Sequence, residues 1–213
     1  MPAKPTVQSA EADLAFLRSI VEGGGRPPLT LAVAYLAGGL LYGVQCLFHI
    51  AQAWGLIAWP GLANLAFIIA INAAMLGIII WAVQDDTRNR SDARGPMSSR
   101  ATSAGLAAAG FANVAMVIIF GVGSARDQDF AIWLYYPAVV FGLQASAWFM
   151  AWTLRKQRWM LATALGGWAA TIALGLLVRQ PLIYLYVCTG ALFLLFALPG
   201  WHMYRQVRAA PEA

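Results

Sequence analysis

The run GLANLAFIIAINAAMLGIIIWAVQ at residues 61 to 84 decides the fold class, because it carries no charge from one end to the other. At about 1.5 Å per residue, a helix of this length exceeds the roughly 30 Å of a hydrocarbon core. Pro60 stands just before it, where a missing amide donor costs least, and the charges resume only at Asp85, Asp86 and Arg88. Five more runs of the same kind predict spans at 29–54, 101–123, 130–154, 159–178 and 182–203, the last opened by Pro181. The composition agrees. Hydrophobic residues make up 61% of the chain and charged residues 11%, with a mean hydropathy of +0.66, whereas a soluble surface needs about a quarter of its residues charged. The expected fold is all-α: a polytopic membrane bundle of six transmembrane helices over residues 29–206, with the lipid bilayer as its first partner.

Direction follows from the basic residues. Lys4, Arg18 and Arg26 precede the first span, Arg88, Arg90, Arg94 and Arg100 lie between spans two and three, Arg155, Lys156 and Arg158 between four and five, and Arg205 and Arg208 after the sixth. Only Arg126 and Arg179 fall on the other side. Since Lys and Arg gather on the cytoplasmic side of short loops, both termini are expected there. The same distribution accounts for the net charge of +5 without nucleic acid. Trp54, Trp59, Trp81, Trp133, Trp152, Trp159 and Trp201 lie near span ends, where amphipathic rings prefer the headgroups.

Residues 1–28 are read as a cytoplasmic segment containing an amphipathic helix at 9–22, and 207–213 as a cytoplasmic tail. Leu14, Leu17, Ile20 and Val21 share one side of that helix, with Glu11, Arg18, Ser19 and Glu22 on the other. Glu11, Asp13 and Glu22 also interrupt any apolar stretch that a secretory signal would need. The segment DLAFLRSIVEGG at 13–24, followed by a proline pair and a first span, resembles the opening of small, six-span alphaproteobacterial membrane proteins of uncharacterised function. The resemblance implies a bacterial inner (plasma) membrane and carries no activity.

Leu41-Tyr42-Gly43-Val44-Gln45 in span one and Val140-Phe141-Gly142-Leu143-Gln144 in span four share a pattern: aliphatic, aromatic, Gly, aliphatic, Gln. Three spans apart, the copies run in opposite directions, as in an inverted three-plus-three repeat. The other reading is that Gly packs helices and Gln bonds across them. Gly39 and Gly43 have the small-xxx-small spacing of close helix packing, against a neighbour or in a homo-oligomer.

No Asp, Glu, Lys or Arg lies deep in a predicted span, which disfavours an ion-coupled carrier. What remains is a polar stripe on span one, where Gln45, His49 and Gln52 fall within about 60° at 3.6 residues per turn. Asn64 of span two shares its depth with His49, and Tyr184, Cys46 and Cys188 lie in the same layer. A polar pocket opening outward could be built from these groups, and Gln45, His49, Gln52, Asn64 and Gln144 are the candidate ligand-binding residues. The plainer reading is that His49 bonds Asn64 or a backbone carbonyl and locks the first hairpin. Asn72 and Asn113, near mid-depth on spans two and three, are expected to make a structural interhelical hydrogen bond.

Several chemistries lack their residues. The two histidines, His49 and His202, differ in depth by more than about 20 Å at helical rise and cannot clasp one haem. Cys46, His49 and Cys188 lack the clustered spacing of zinc sites, so no cofactor or metal is expected. Asp85 and Asp86 have no matching second acidic cluster and read as a solvated helix end. Asp129 reads as the cap of span four. The aspartate runs of CDP-alcohol phosphotransferases, the GxSG of rhomboid proteases and the paired NPA of aquaporins do not occur. His49 as acid or base has no visible partner, so no catalytic residue is assigned. Two readings stay open: binding or passage of a small uncharged or lipid-like ligand, and an accessory subunit docked on another membrane protein.

Overall fold

The computed structural model describes residues 28–89 and 97–209, and the expected helix at 9–22 lies outside them. Among the described residues the chain is all-helical: α1 Leu29–Ala53, α2 Gly61–Asn89, α3 Met97–Asp127, α4 Phe130–Arg155, α5 Arg158–Leu177, α6 Pro181–Leu192, a π-helical turn Phe193–Ala197 and α7 Leu198–Arg208. Six helices are long and apolar enough to cross a membrane, the sixth being the continuous stretch Pro181–Arg208.

Two of the helix starts have local causes. Asp129 caps α4 by accepting a bond from the Ala131 amide at 2.9 Å, and Pro181 opens α6 in its first turn. At α1 the cap position is Pro28, which has no side-chain acceptor to offer. Asp86 supplies one from α2. Its carboxylate accepts the Leu29 amide at 3.2 Å, the Thr30 amide at 2.8 Å and the Thr30 hydroxyl. The solvated helix end read from the acidic pair is therefore corrected at Asp86, which ties the last turns of α2 to the first turn of α1. A carboxylate at a helix N-terminus also meets the positive end of the macrodipole.

Each consecutive pair that packs is antiparallel. Thr30, Tyr42 and Gln52 of α1 meet Asp86, Asn72 and Asn64 of α2 in reverse order. Leu36, Gly39 and Gly43 of α1 meet Gly200, Ala197 and Phe193 of the sixth span. This interface is a backbone contact: a Cβ added at Gly39 would lie 2.3 Å from the Ala197 nitrogen, and one at Gly200 2.3 Å from the Leu36 nitrogen. Gly39 and Gly43 are thus occupied within the chain. The widened turn at Phe193–Ala197 comes just before Pro199, whose missing amide removes the ordinary partner of the Leu195 carbonyl.

Around the bundle the order is α2, α1, the sixth span, α5, α4, α3. The outermost members, α2 and α3, each pack extensively on one neighbour, α1 and α4. They bury 11% of their apolar stretches, against 28–33% for the other four. Two apolar clusters fill the centre. Towards the end where α1 begins, Tyr35, Leu106, Trp148, Met160 and Met203 pack together. Towards the other end, Phe141, Leu174, Tyr184, Cys188 and Leu192 do so.

Candidate functional site

Tyr42, Gln45, His49 and Gln52 recur at three- and four-residue intervals on α1, the spacing of one helical face, and that face meets α2. The hydrogen bonds confirm the placement. Nδ1 of His49 lies 3.0 Å from Gln52 Oε1, and because an amide oxygen only accepts, Nδ1 carries the proton. Gln52 Nε2 then donates to Asn64 Oδ1 at 2.6 Å. His49 therefore reaches Asn64 through Gln52, in a three-residue chain that joins α1 to α2. Phe48, Trp59 and Phe67 pack beside it, with ring centroids 4.5 to 6.0 Å apart, and close the hairpin end.

Deeper along the same seam the Tyr42 hydroxyl donates to Asn72 Oδ1 at 3.1 Å, and Asn72 Nδ2 donates to the Ile68 carbonyl at 2.8 Å. The partner of Asn72 is thus Tyr42 of α1, where the sequence suggested Asn113. Asn113 of α3 is met instead by Tyr136 of α4. Each of the two outermost helices thus has an asparagine met by a tyrosine of its neighbour, Asn72 of α2 by Tyr42 of α1 and Asn113 of α3 by Tyr136 of α4. Asn72 is exposed there.

Two acceptors in this region have no protein partner among the described residues. The amide oxygens of Gln45 and Asn113 are both buried and unbonded. Gln45 lies between the two bridged levels of the seam, one turn from Tyr42 and one from His49.

Gln144 is elsewhere. Its Oε1 accepts the hydroxyl of Tyr35, about ten residues along α1 from Gln45, or about 15 Å at helical rise. Tyr35 stands edge-on to Trp148 at 5.2 Å and stacks on Phe196 at 5.1 Å, within the opposite apolar cluster. The two glutamines of the shared pattern therefore belong to separate layers, and its two glycines face different things: Gly43 the Phe193 ring, Gly142 the Thr171 side chain of α5. Tyr184 turns away from the seam as well, giving its hydroxyl to the Leu134 carbonyl at 2.7 Å.

Tyr42, Tyr136, Tyr35 and Asp86 are the contributors that sequence reasoning passed over. Tyr42 was within reach, since it stands three residues before Gln45 on the same face. Tyr136 offered no such signal, because only the packing of α3 on α4 brings it to Asn113.

The assembled groups are hydroxyls, amides and the His49 imidazole, with no Asp, Glu, Lys or Arg among them. They can hold a neutral hydrogen-bonding group, and Asn72 and the unbonded oxygens have capacity to spare. The chain matches no protein-family model, no curated protein and no solved structure.

Proposed function

We propose that this is a non-catalytic, six-span protein of a bacterial inner membrane, with both termini cytoplasmic, that binds or passes a small uncharged or lipid-like ligand along the α1 seam. Gln45, His49, Gln52, Asn64, Asn72 and Asn113 line its path, with Tyr42 and Tyr136 added and Gln144 left to packing. The observation that carries this reading is the pair of buried, unbonded amide oxygens at Gln45 and Asn113. A buried acceptor without a partner costs about 1–3 kcal/mol, and an unexplained one points to a missing partner group. Both are acceptors, so the group that completes them is a donor, such as a hydroxyl or an amide N–H on an otherwise apolar molecule. The absence of Asp, Glu, Lys and Arg from the seam favours a neutral molecule.

The bare faces of α2 and α3 support a second reading, an accessory subunit whose outer helices meet a second copy or another membrane protein. Native mass spectrometry of protein released in mild detergent separates the two. On the ligand reading the wild type carries a discrete small mass that Gln45→Leu loses. If the seam holds nothing, Gln45→Leu leaves the mass spectrum unchanged and raises thermal stability, because it removes an unsatisfied acceptor. A defined complex with another protein, and no small ligand, would establish the accessory role.

A further inference from the structure

The chain has two cysteines, 142 positions apart, and the fold brings them together. Cys46 of α1 packs against the apolar cluster in which Cys188 of α6 is buried, and the two thiols face one another across the interface. Both are free. The backbone register explains the meeting: the antiparallel contact that sets Leu36 on Gly200, Gly39 on Ala197 and Gly43 on Phe193 continues to residue 46 beside the turn containing 188 and 189. Thr189, whose hydroxyl donates to the Leu185 carbonyl at 2.7 Å, also reaches Cys46. A single buried cysteine is adequately explained as a small hydrophobe. Two that meet have a chemistry that neither has alone.

We propose that Cys46 and Cys188 form a reversible disulfide that staples the first span to the sixth, closed by an uncharged peroxide entering through the apolar part of the bundle. Cys46 is the half-buried member and Cys188 the buried one, so the peroxide meets Cys46 first. The Cys46 sulfur attacks one peroxide oxygen, the O–O bond breaks, and the departing oxygen takes the thiol proton and leaves as water. The sulfur of Cys188 then displaces the hydroxyl of the resulting sulfenic acid, forming the S–S bond and releasing a second water with the remaining thiol proton. Two sulfurs give up one electron each, and the peroxide is reduced to two waters. Two equivalents of a small thiol reverse the step by successive exchange, returning both cysteines to thiols and leaving as their own disulfide. The staple fixes α1, the helix that carries Tyr42, Gln45, His49 and Gln52, against the span with which it already makes backbone contact.

The test uses the full chain in lipid nanodiscs, treated with hydrogen peroxide, then unfolded in the presence of N-ethylmaleimide and weighed intact. Treated wild type is expected to take up no maleimide and to be lighter than untreated, unlabelled protein by two hydrogens. Dithiothreitol before unfolding should restore labelling at both cysteines. Cys188→Ser should stop at Cys46, gaining oxygen without a cross-link, and should this variant fail to fold, the wild-type masses alone decide. Full maleimide labelling after peroxide, oxygen added to wild-type Cys46 without a cross-link, or a disulfide-linked dimer would each overturn the proposal.

Discussion

Asp86 shows how much one side chain in a hydrophobic protein can carry. It accepts two amides and a hydroxyl from a helix that begins 57 residues earlier, at a proline that cannot cap itself. Asp86→Ala is expected to destabilise the bundle by about 0.5–2 kcal/mol, the range for losing a helix cap. Asp85→Ala, next to it, should leave the melting temperature close to that of the wild type. Thermal unfolding of both variants in mild detergent checks the difference. Nothing in the local sequence distinguishes the two aspartates. Whichever one faces α1 depends on how α2 is rotated, and that is settled by packing along its whole length. The same limit applies to the glutamines. Depth and the short loop between the helices set His49 level with Asn64, but the side chain that bonds Asn64 is Gln52, one turn further on. Gln144 could not be placed, since its partner Tyr35 lies on a helix that is remote in sequence.

At the scale of elements, composition and punctuation located the helices and packing set their contacts. The predicted spans and the observed helices share their apolar stretches. α2 and α3 run further than predicted, to Asn89 and from Met97 to Asp127, because a helix can continue into water after the hydrocarbon ends. The glycines divide by what faces them. Gly200 touches the α1 backbone, so Gly200→Ala must push two helices apart and should cost at least about 1–3 kcal/mol, the usual penalty for overpacking. Gly175 has no atom within 4 Å of an added Cβ, and Gly175→Ala should change stability by less than about 1 kcal/mol. Melting curves for the two variants would reverse this assignment if Gly175→Ala proved the more damaging. The small-xxx-small spacing of Gly39 and Gly43 was visible in the sequence. Which helix approaches them was not.

For the whole molecule, six spans in alternation would leave both chain ends on one side, and the proposal that this side is cytoplasmic rests on the basic loops. With Cys46 and Cys188 replaced by alanine, a cysteine introduced at Gln128 should react with a membrane-impermeant maleimide in intact cells. One introduced at Gln157 should react only after permeabilisation. The opposite pattern would invert the topology. The arrangement of neighbours also bears on the inverted repeat. α1 lies between α2 and the sixth span, and α4 between α5 and α3, as a two-fold relation requires, yet the matched glycines and glutamines do not face matched partners.

The sequence by itself determined that the chain is helical, that six of its helices are long and apolar enough to cross a bilayer, and where most of them begin. These properties depend on uninterrupted apolar length and on residues within a turn of each helix end, and both are local. Only the tertiary structure decided that Asp86 caps α1, that Tyr42 and Tyr136 join the asparagines, that Gln144 leaves the seam and that the two cysteines meet. Those are relations between helices rotated about their own axes. In a membrane, where lipid covers an apolar face as readily as a neighbouring helix does, hydrophobicity does not specify the rotation, and close fit between glycine-lined backbones does.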